Sequence, residues 1–189
     1  MISAILLAAG QSKRMNGENK LAKELEGTPL IKHSIINILN SSIKELVVVL
    51  GHQKEIIEKL IDKNQKTKIV FNRNFKDGMA SSIKIGINSL SKNTKAFFIS
   101  LGDMPKVDKD IYDKLIISRN TKKIVVPTFN GIQGNPVLFD ISMKNKIMNL
   151  NGDTGAKKII ELNKNDTLYI ETNNLGVSKD FNTKENFSS

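Results

Sequence analysis

Apolar positions along this chain fall into short unbroken runs separated by amphipathic stretches, and the two kinds of segment alternate. Ile2 to Ala8 is the first run, with the length and abrupt ends of a buried strand, and it breaks into a small-residue turn at Ala9 and Gly10. Leu30, Ile31, Ile35, Ile38 and Leu39 then recur at helical spacing, which predicts a helix from Pro29 to Asn40 with proline at its first position. Glu45 to Leu50 (ELVVVL) is a β-branched run of the kind that fills a central parallel strand, and Gly51 ends it. Ile56, Ile57, Leu60 and Ile61 mark the next helix, and Lys68 to Asn72 the next strand. A helix through Leu90 leads to Ala96 to Leu101 (AFFISL), the most apolar strand of all. A helix from Lys109 to Arg119, a strand from Lys123 to Pro127 and a last strand from Thr167 to Glu171 complete the reading.

Strands alternating with helices predict an α/β fold, a three-layer, doubly wound, Rossmann-like sheet that is mostly parallel. With 189 residues and no repeat, linker or low-complexity boundary, one domain over 1–189 is expected, large enough for a core without staples. Cysteine is absent, which excludes a disulfide framework and thiolate metal sites. The first apolar run is too short for a signal peptide and none is long enough to span a membrane, so a cytoplasmic protein without membrane association is expected. The net charge of +10 raises the question of nucleic-acid binding. Lysines are spread along the whole chain, arginine is scarce and aromatics make up 5%, so no nucleic-acid partner is expected. The positive field suits small anionic substrates instead.

Candidate chemistry gathers at the ends of the predicted strands, where a doubly wound sheet binds ligands. The turn at Ala8, Ala9 and Gly10 exposes backbone N–H groups with no side-chain bulk to hold an anion away, and Arg14 and Lys20 follow within a dozen residues. Two familiar phosphate loops are excluded by spacing. Gly10 and Gly17 are seven apart with no Lys-Ser/Thr after Gly17, and no Gly-x-Gly-x-x-Gly follows the strand. Ser81 and Ser82 open a helix, where hydroxyl residues serve either as caps or as readers of a polar ligand edge. Gly102-Asp103 leaves the most apolar strand, and Asp103 is either a cap for the helix after Pro105 or a Mg²⁺ ligand. Gly152 to Lys157 reads as a turn delivering a helix N-terminus, with Asp153 a cap or a contact to a second substrate. His33 and His52 have no partner spacing for a metal or a nucleophilic triad, and no catalytic role is expected of them.

LAAGQSKRM at residues 7–15, Asn19-Lys20-Leu21 and Gly27-Thr28-Pro29-Leu30-Ile31 resemble the signature of nucleotidyltransferases of the molybdenum-cofactor type. The resemblance is greatest to the molybdenum cofactor cytidylyltransferases, because Ala8-Ala9-Gly10 stands where the guanylyltransferase branch usually has Ala-Gly-Gly. Gly78-Met79-Ala80-Ser81-Ser82, Leu101-Gly102-Asp103-Met104-Pro105, Gly134 to Phe139 and Gly152 to Lys157 also resemble family blocks, in order and spacing. The resemblance implies transfer of CMP from CTP to the terminal phosphate of molybdenum-molybdopterin, with release of pyrophosphate. It implies a nucleotide site of Ala8, Ala9, Gly10, Arg14, Lys20, Gly78, Ser81, Ser82 and Gly102, with Arg14, Lys20 and Asp103 catalytic. Mg²⁺ is the implied cofactor, on Asp103 with a second ligand from the tail, where Asn182 replaces the usual Asp and Asp180 can share or assume the task. Asn135, Asp153 and Lys157 are the implied acceptor contacts, and Lys157 replaces an Arg often found there, giving up the bidentate fork. The expected partners are CTP, a molybdopterin-type acceptor and a molybdoenzyme or its chaperone, with the chain a monomer. Three alternatives remain open here: a sugar- or alditol-phosphate nucleotidyltransferase, a molybdopterin-binding chaperone without chemistry, and a nucleic-acid binder.

Overall fold

A computed structural model describes residues 1–12 and 17–181. The chain opens with β1 (Ile2–Ala8), passes through a 3-10 turn (Lys20–Ala22) and a small hairpin of β2 (Glu24–Leu25) and β3 (Thr28–Pro29), and enters α1 (Leu30–Asn40). There follow β4 (Glu45–Leu50), α2 (Lys54–Glu58), β5 (Thr67–Phe71), a 3-10 turn (Phe75–Asp77), α3 (Met79–Asn88) and β6 (Ala96–Leu101). The second half holds α4 (Lys109–Ser118), β7 (Ile124–Phe129), β8 (Ile132–Gln133), β9 (Val137–Asp140), α5 (Lys144–Met148), α6 (Ala156–Leu162) and β10 (Thr167–Glu171).

The main sheet runs β10-β7-β9-β6-β1-β4-β5, with β8 paired to β7. β6, β1, β4 and β5 are mutually parallel, as are β7 and β10, and β9 lies antiparallel between β6 and β7. Chain order moves outward from β1 to β4 to β5, then returns to β6 on the other side of β1. The reversal at β1 and β6 is the crevice where such sheets bind ligands.

Two apolar layers flank the sheet, and strand periodicity assigns residues to them. Leu46, Val48 and Leu50 of β4 pack with α1 and α4 on one face, while Val47 and Val49 pack with α3, α5 and α6 on the other. Neighbouring Phe97 and Phe98 of β6 go to opposite layers in the same way, each fully buried. The expected single three-layer, mostly parallel domain is therefore what the chain forms.

Two local expectations need correcting, and one strand has no counterpart in the sequence reading. Pro29 is not the first residue of α1; it is extended, with φ −53° and ψ 135°, pairs with Glu24 in the hairpin, and caps a helix that starts at Leu30. The helix expected around Ile56 to Ile61 is shortened to α2, which stops at Glu58. β9 went unread, because its three apolar residues are too few for a strand signal and its position in the sheet depends on non-local pairing with Ala96 to Ile99.

The end of β9 carries a pH-sensitive contact. Asp140 accepts hydrogen bonds from Ser142 N at 2.9 Å and from the Arg119 guanidinium. Partial burial pushes the carboxyl up, but the Ser142 N–H and the arginine outweigh it and hold Asp140 below the usual carboxylate range. A group depressed on folding stabilises fully above its unfolded pKa and loses that contribution as pH falls through the folded value. Asp140→Asn is therefore expected to flatten the acid limb of the stability curve below about pH 4. Urea midpoints measured between neutral pH and the acid limb test this, and an unchanged acid slope would count against it.

Candidate active site

The site is built where β1 and β6 end side by side. Ala8 and Ala9 are buried, and the backbone of Gly102 closes onto β1 through Gly102 N to Leu7 O at 3.0 Å, with Ser34 Oγ donating to Gly102 O at 3.2 Å. The Ala9 turn is fixed from beneath by Gly51. A Cβ there would lie 2.7 Å from Ala9 Cβ and 2.8 Å from Phe75 Cβ, so only glycine lets β4 leave the sheet under this loop. His52 N then donates to Ala9 O at 3.3 Å. Gly10 differs: a Cβ on it would meet nothing within 4 Å among the described residues, and its value is an open approach to the backbone.

Lys20 is delivered by its own turn. Asn19 Oδ1 accepts from Leu21 N at 3.1 Å to cap the 3-10 segment, and Lys20 N donates to Ser12 Oγ at 3.2 Å. These contacts aim the ammonium at Asp103, with which it forms a charge-assisted hydrogen bond; both side chains are largely buried. The C-terminal segment is tied to the same aspartate, because Phe181 N donates to Asp103 O at 2.9 Å. That tie brings Asp180 to the rim.

A cleft of about 650 Å³ results, lined by Ala8, Ala9, Gly10, Gln11, Ser12, Lys20, Phe75, Lys76, Gly78, Met79, Ser82, Asp103, Asp153 and Asp180. Its size suits a nucleotide-sized ligand. A depression of about 640 Å³ lies between the start of α4 and the loop after β10. Asp108 there is engaged, capping α4 through Ile111 N and accepting from Asn174 Nδ2.

The structure thus gathers Ala8, Ala9, Gly10, Lys20, Gly78, Ser82, Asp103, Asp153 and Asp180 around one cavity. Gly102 supports it from below, and Ser81 is turned into the protein, donating to Gly78 O at 2.8 Å or Asn74 O at 3.0 Å. Asn135 precedes a cis peptide bond to Pro136 and is held through its N–H to Val177 O at 2.8 Å; Lys157 lies exposed on α6. Neither lines the cavity. Asp153 acts in part as a cap, but for a distant helix: its Oδ1 accepts from Met79 N at 3.2 Å at the start of α3. Arg14 and Asn182 lie outside the described residues. Gln11, Ser12, Phe75, Lys76 and Met79 were not singled out in the sequence, although Lys76, a cation one turn before the Gly78 block, carried a usable signal. His33 has a structural partner, Leu25 O at 2.9 Å.

Asp103 and Asp180 offer hard oxygen donors, and the Lys20 ammonium on Asp103 shows that this carboxylate faces a cation. Among the described residues no group of three potential ligands exists. Two carboxylates with room for phosphate and water fit Mg²⁺ better than an all-protein cage would.

A doubly wound sheet with lysines, aspartates and a small-residue turn gathered at its switch point defines an α/β protein with a polar, charged ligand cleft at its strand ends. More narrowly, the chain belongs to the MobA-like NTP transferase domain family, whose pattern covers residues 4–168. It is 27% identical to the molybdenum cofactor cytidylyltransferase of Escherichia coli (strain K12), over 98% of this chain and 93% of that protein. Its fold is that of a nucleotidyl transferase from Methanothermobacter thermautotroptrophicus, with a TM-score of 0.86 at 17% identity over 100% of this chain and 94% of the other. The manganese complex of Rv0371c from Mycobacterium tuberculosis is also similar, with a TM-score of 0.78 at 17% identity, covering 100% of this chain and 98% of that one. No helix among the described residues is long and apolar enough to cross a membrane.

Proposed function

We propose that this enzyme moves CMP from CTP to the terminal phosphate of a molybdenum-loaded molybdopterin, releasing pyrophosphate. The observation that carries the reading is the Lys20–Asp103 pair at the sheet's switch point, beside an open Ala8-Ala9-Gly10 turn. The near full-length similarity to a molybdenum cofactor cytidylyltransferase supports this donor and acceptor over others.

An acceptor phosphate oxygen attacks the α-phosphorus in line; the bond from the α-phosphorus to the α–β bridging oxygen breaks, and pyrophosphate leaves with its electron pair. The attacking oxygen is already anionic, so no general base is required, and no side chain in the cleft needs to become a covalent intermediate. Catalysis is then positioning and charge neutralisation. Lys20 neutralises charge at the α-phosphate, while the Ala9 to Ser12 loop holds the β- and γ-phosphates through backbone N–H groups. Asp103 and Asp180 would hold Mg²⁺, which supplies further neutralisation of the triphosphate. The charged product would pass in the cytoplasm to a molybdoenzyme or its chaperone.

The test is pyrophosphate release with Mg²⁺ and each of the four nucleoside triphosphates, with and without the loaded acceptor. Release with CTP alone among them, and only with acceptor present, is expected. CTP binding without release would replace the acceptor with a sugar or alditol phosphate, and failure to bind CTP would overturn the reading.

A further inference from the structure

Asn72, the first residue after β5, is 1% exposed and spends every polar atom of its side chain. Oδ1 accepts from Asn74 N at 2.9 Å, which fixes the amide's orientation. Nδ2 therefore faces α3, and its two hydrogens go to two hydroxyl oxygens, Ser81 Oγ at 2.7 Å and Ser82 Oγ at 3.0 Å. The serines differ in what remains. Ser81 passes its own proton to Gly78 O or Asn74 O. Ser82, only 4% exposed, has no acceptor for its proton among the described residues, and it lines the cleft.

An amide NH₂ can only donate, so Ser82 Oγ is held as an acceptor toward Asn72 and its proton is left for whatever occupies the cleft. A buried donor without a partner is costly, which favours a ligand that supplies an acceptor. We infer that Asn72 is a positioning residue that sets Ser82 as a dedicated hydrogen-bond donor to an acceptor oxygen or nitrogen of the bound nucleotide. The inference rests on the nucleotide-binding reading proposed above. Its particular content is polarity: Asn72, which does not itself line the cleft, decides which way the Ser82 hydroxyl points.

Asn72→Asp tests this, because a near-isosteric carboxylate accepts from both serines and turns the Ser82 proton away from the cleft. Titration calorimetry with CTP and Mg²⁺ is run on the wild type, Asn72→Asp, Ser82→Ala and the double variant. A loss of about tenfold in affinity is expected for each single variant, the scale of one buried hydrogen bond. In the double variant the loss is expected to stay near tenfold, since both changes remove one donor. Losses that multiply toward a hundredfold would show that Asn72 acts by another route. Wild-type affinity in Asn72→Asp, or in Ser82→Ala, would overturn the inference and leave the nucleotide site standing. A wild type that binds no nucleoside triphosphate would overturn both. If Asn72→Asp does not fold, Asn72→Leu frees the hydroxyl instead of reversing it. A loss of about threefold that vanishes in the Ser82→Ala background is then expected, and a loss that persists there would overturn the inference.

Discussion

Asp103→Asn is expected to lower kcat for pyrophosphate release by at least about a thousandfold while CTP binding in the absence of metal stays within a few-fold of wild type. The substitution keeps size and a hydrogen-bond acceptor, so Lys20 retains a contact; what disappears is the negative charge at the end of β6. On the proposed reading that charge serves twice. It holds the Lys20 ammonium in the cleft, and with Asp180 it would hold the divalent cation. The side chains of Lys20 and Asp103 are 17% and 15% exposed, so loss of the pair also leaves an ammonium with less compensation than it had. A stability loss of roughly 1 kcal/mol is expected from this, too small to unfold the protein. Cooperative thermal melting of the variant, alongside the activity assay, separates a chemical loss from a folding loss. Turnover near the wild-type rate in a well-folded variant would remove Asp103 from the reaction.

Much of this site was visible in the sequence because it sits where local signals end. The apolar runs of β1 and β6 stop at Ala8 and Leu101, and the small or acidic residues that follow were readable as strand exits. Lys20 and Asp103 were each identifiable, but their pairing was not, since eighty-three positions separate them and only the parallel registration of β1 with β6 brings them together. Gly51 illustrates a second limit. In sequence it is a glycine that ends a strand; in the fold it is the one residue small enough to lie under Ala9. In sequence Asn72 is a polar strand end, and nothing local distinguishes it from any other. Its function depends on α3 placing two hydroxyls within 3.0 Å of one amide.

The family blocks were legible as blocks, while their division of labour was not. Gly134 to Phe139 resembles a functional motif, yet its second half, Val137 to Phe139, lies in β9, a sheet strand whose side chains there fill the core. Gly152 to Lys157 reads in sequence as a turn delivering a helix N-terminus, and α6 does begin within it at Ala156. Its Gly152-Asp153 portion also serves the other helix, capping α3 and sitting against Gly78. The two segments form one wall, and a change in either is felt by both.

That interlock makes Gly78→Ala the substitution with the largest expected effect on stability. Gly78 has φ 96° and ψ 178°, a backbone region that is essentially glycine-only, so alanine is strained there before any contact is considered. Its Cβ would stand 2.4 Å from Gly152 C and 2.5 Å from Asp153 N, and these are backbone atoms that no rotamer change can move. Relief requires the 152–155 loop to withdraw. Withdrawal breaks Ala80 N to Gly152 O at 3.1 Å and Met79 N to Asp153 Oδ1 at 3.2 Å, the contacts that satisfy the first turn of α3. Strain and lost caps together amount to roughly 3 to 4 kcal/mol, about half the stability of a marginal domain. CTP affinity is expected to fall in the molecules that remain folded, because Met79 and Ser82 move with the helix. Gly10→Ala is the internal control: with no atom of the described residues within 4 Å of its Cβ and an ordinary φ, it is expected to change stability by less than about 0.5 kcal/mol. Urea unfolding of the two variants distinguishes them, and equal midpoints would mean that the 152–155 loop yields without cost and does not hold α3 in place.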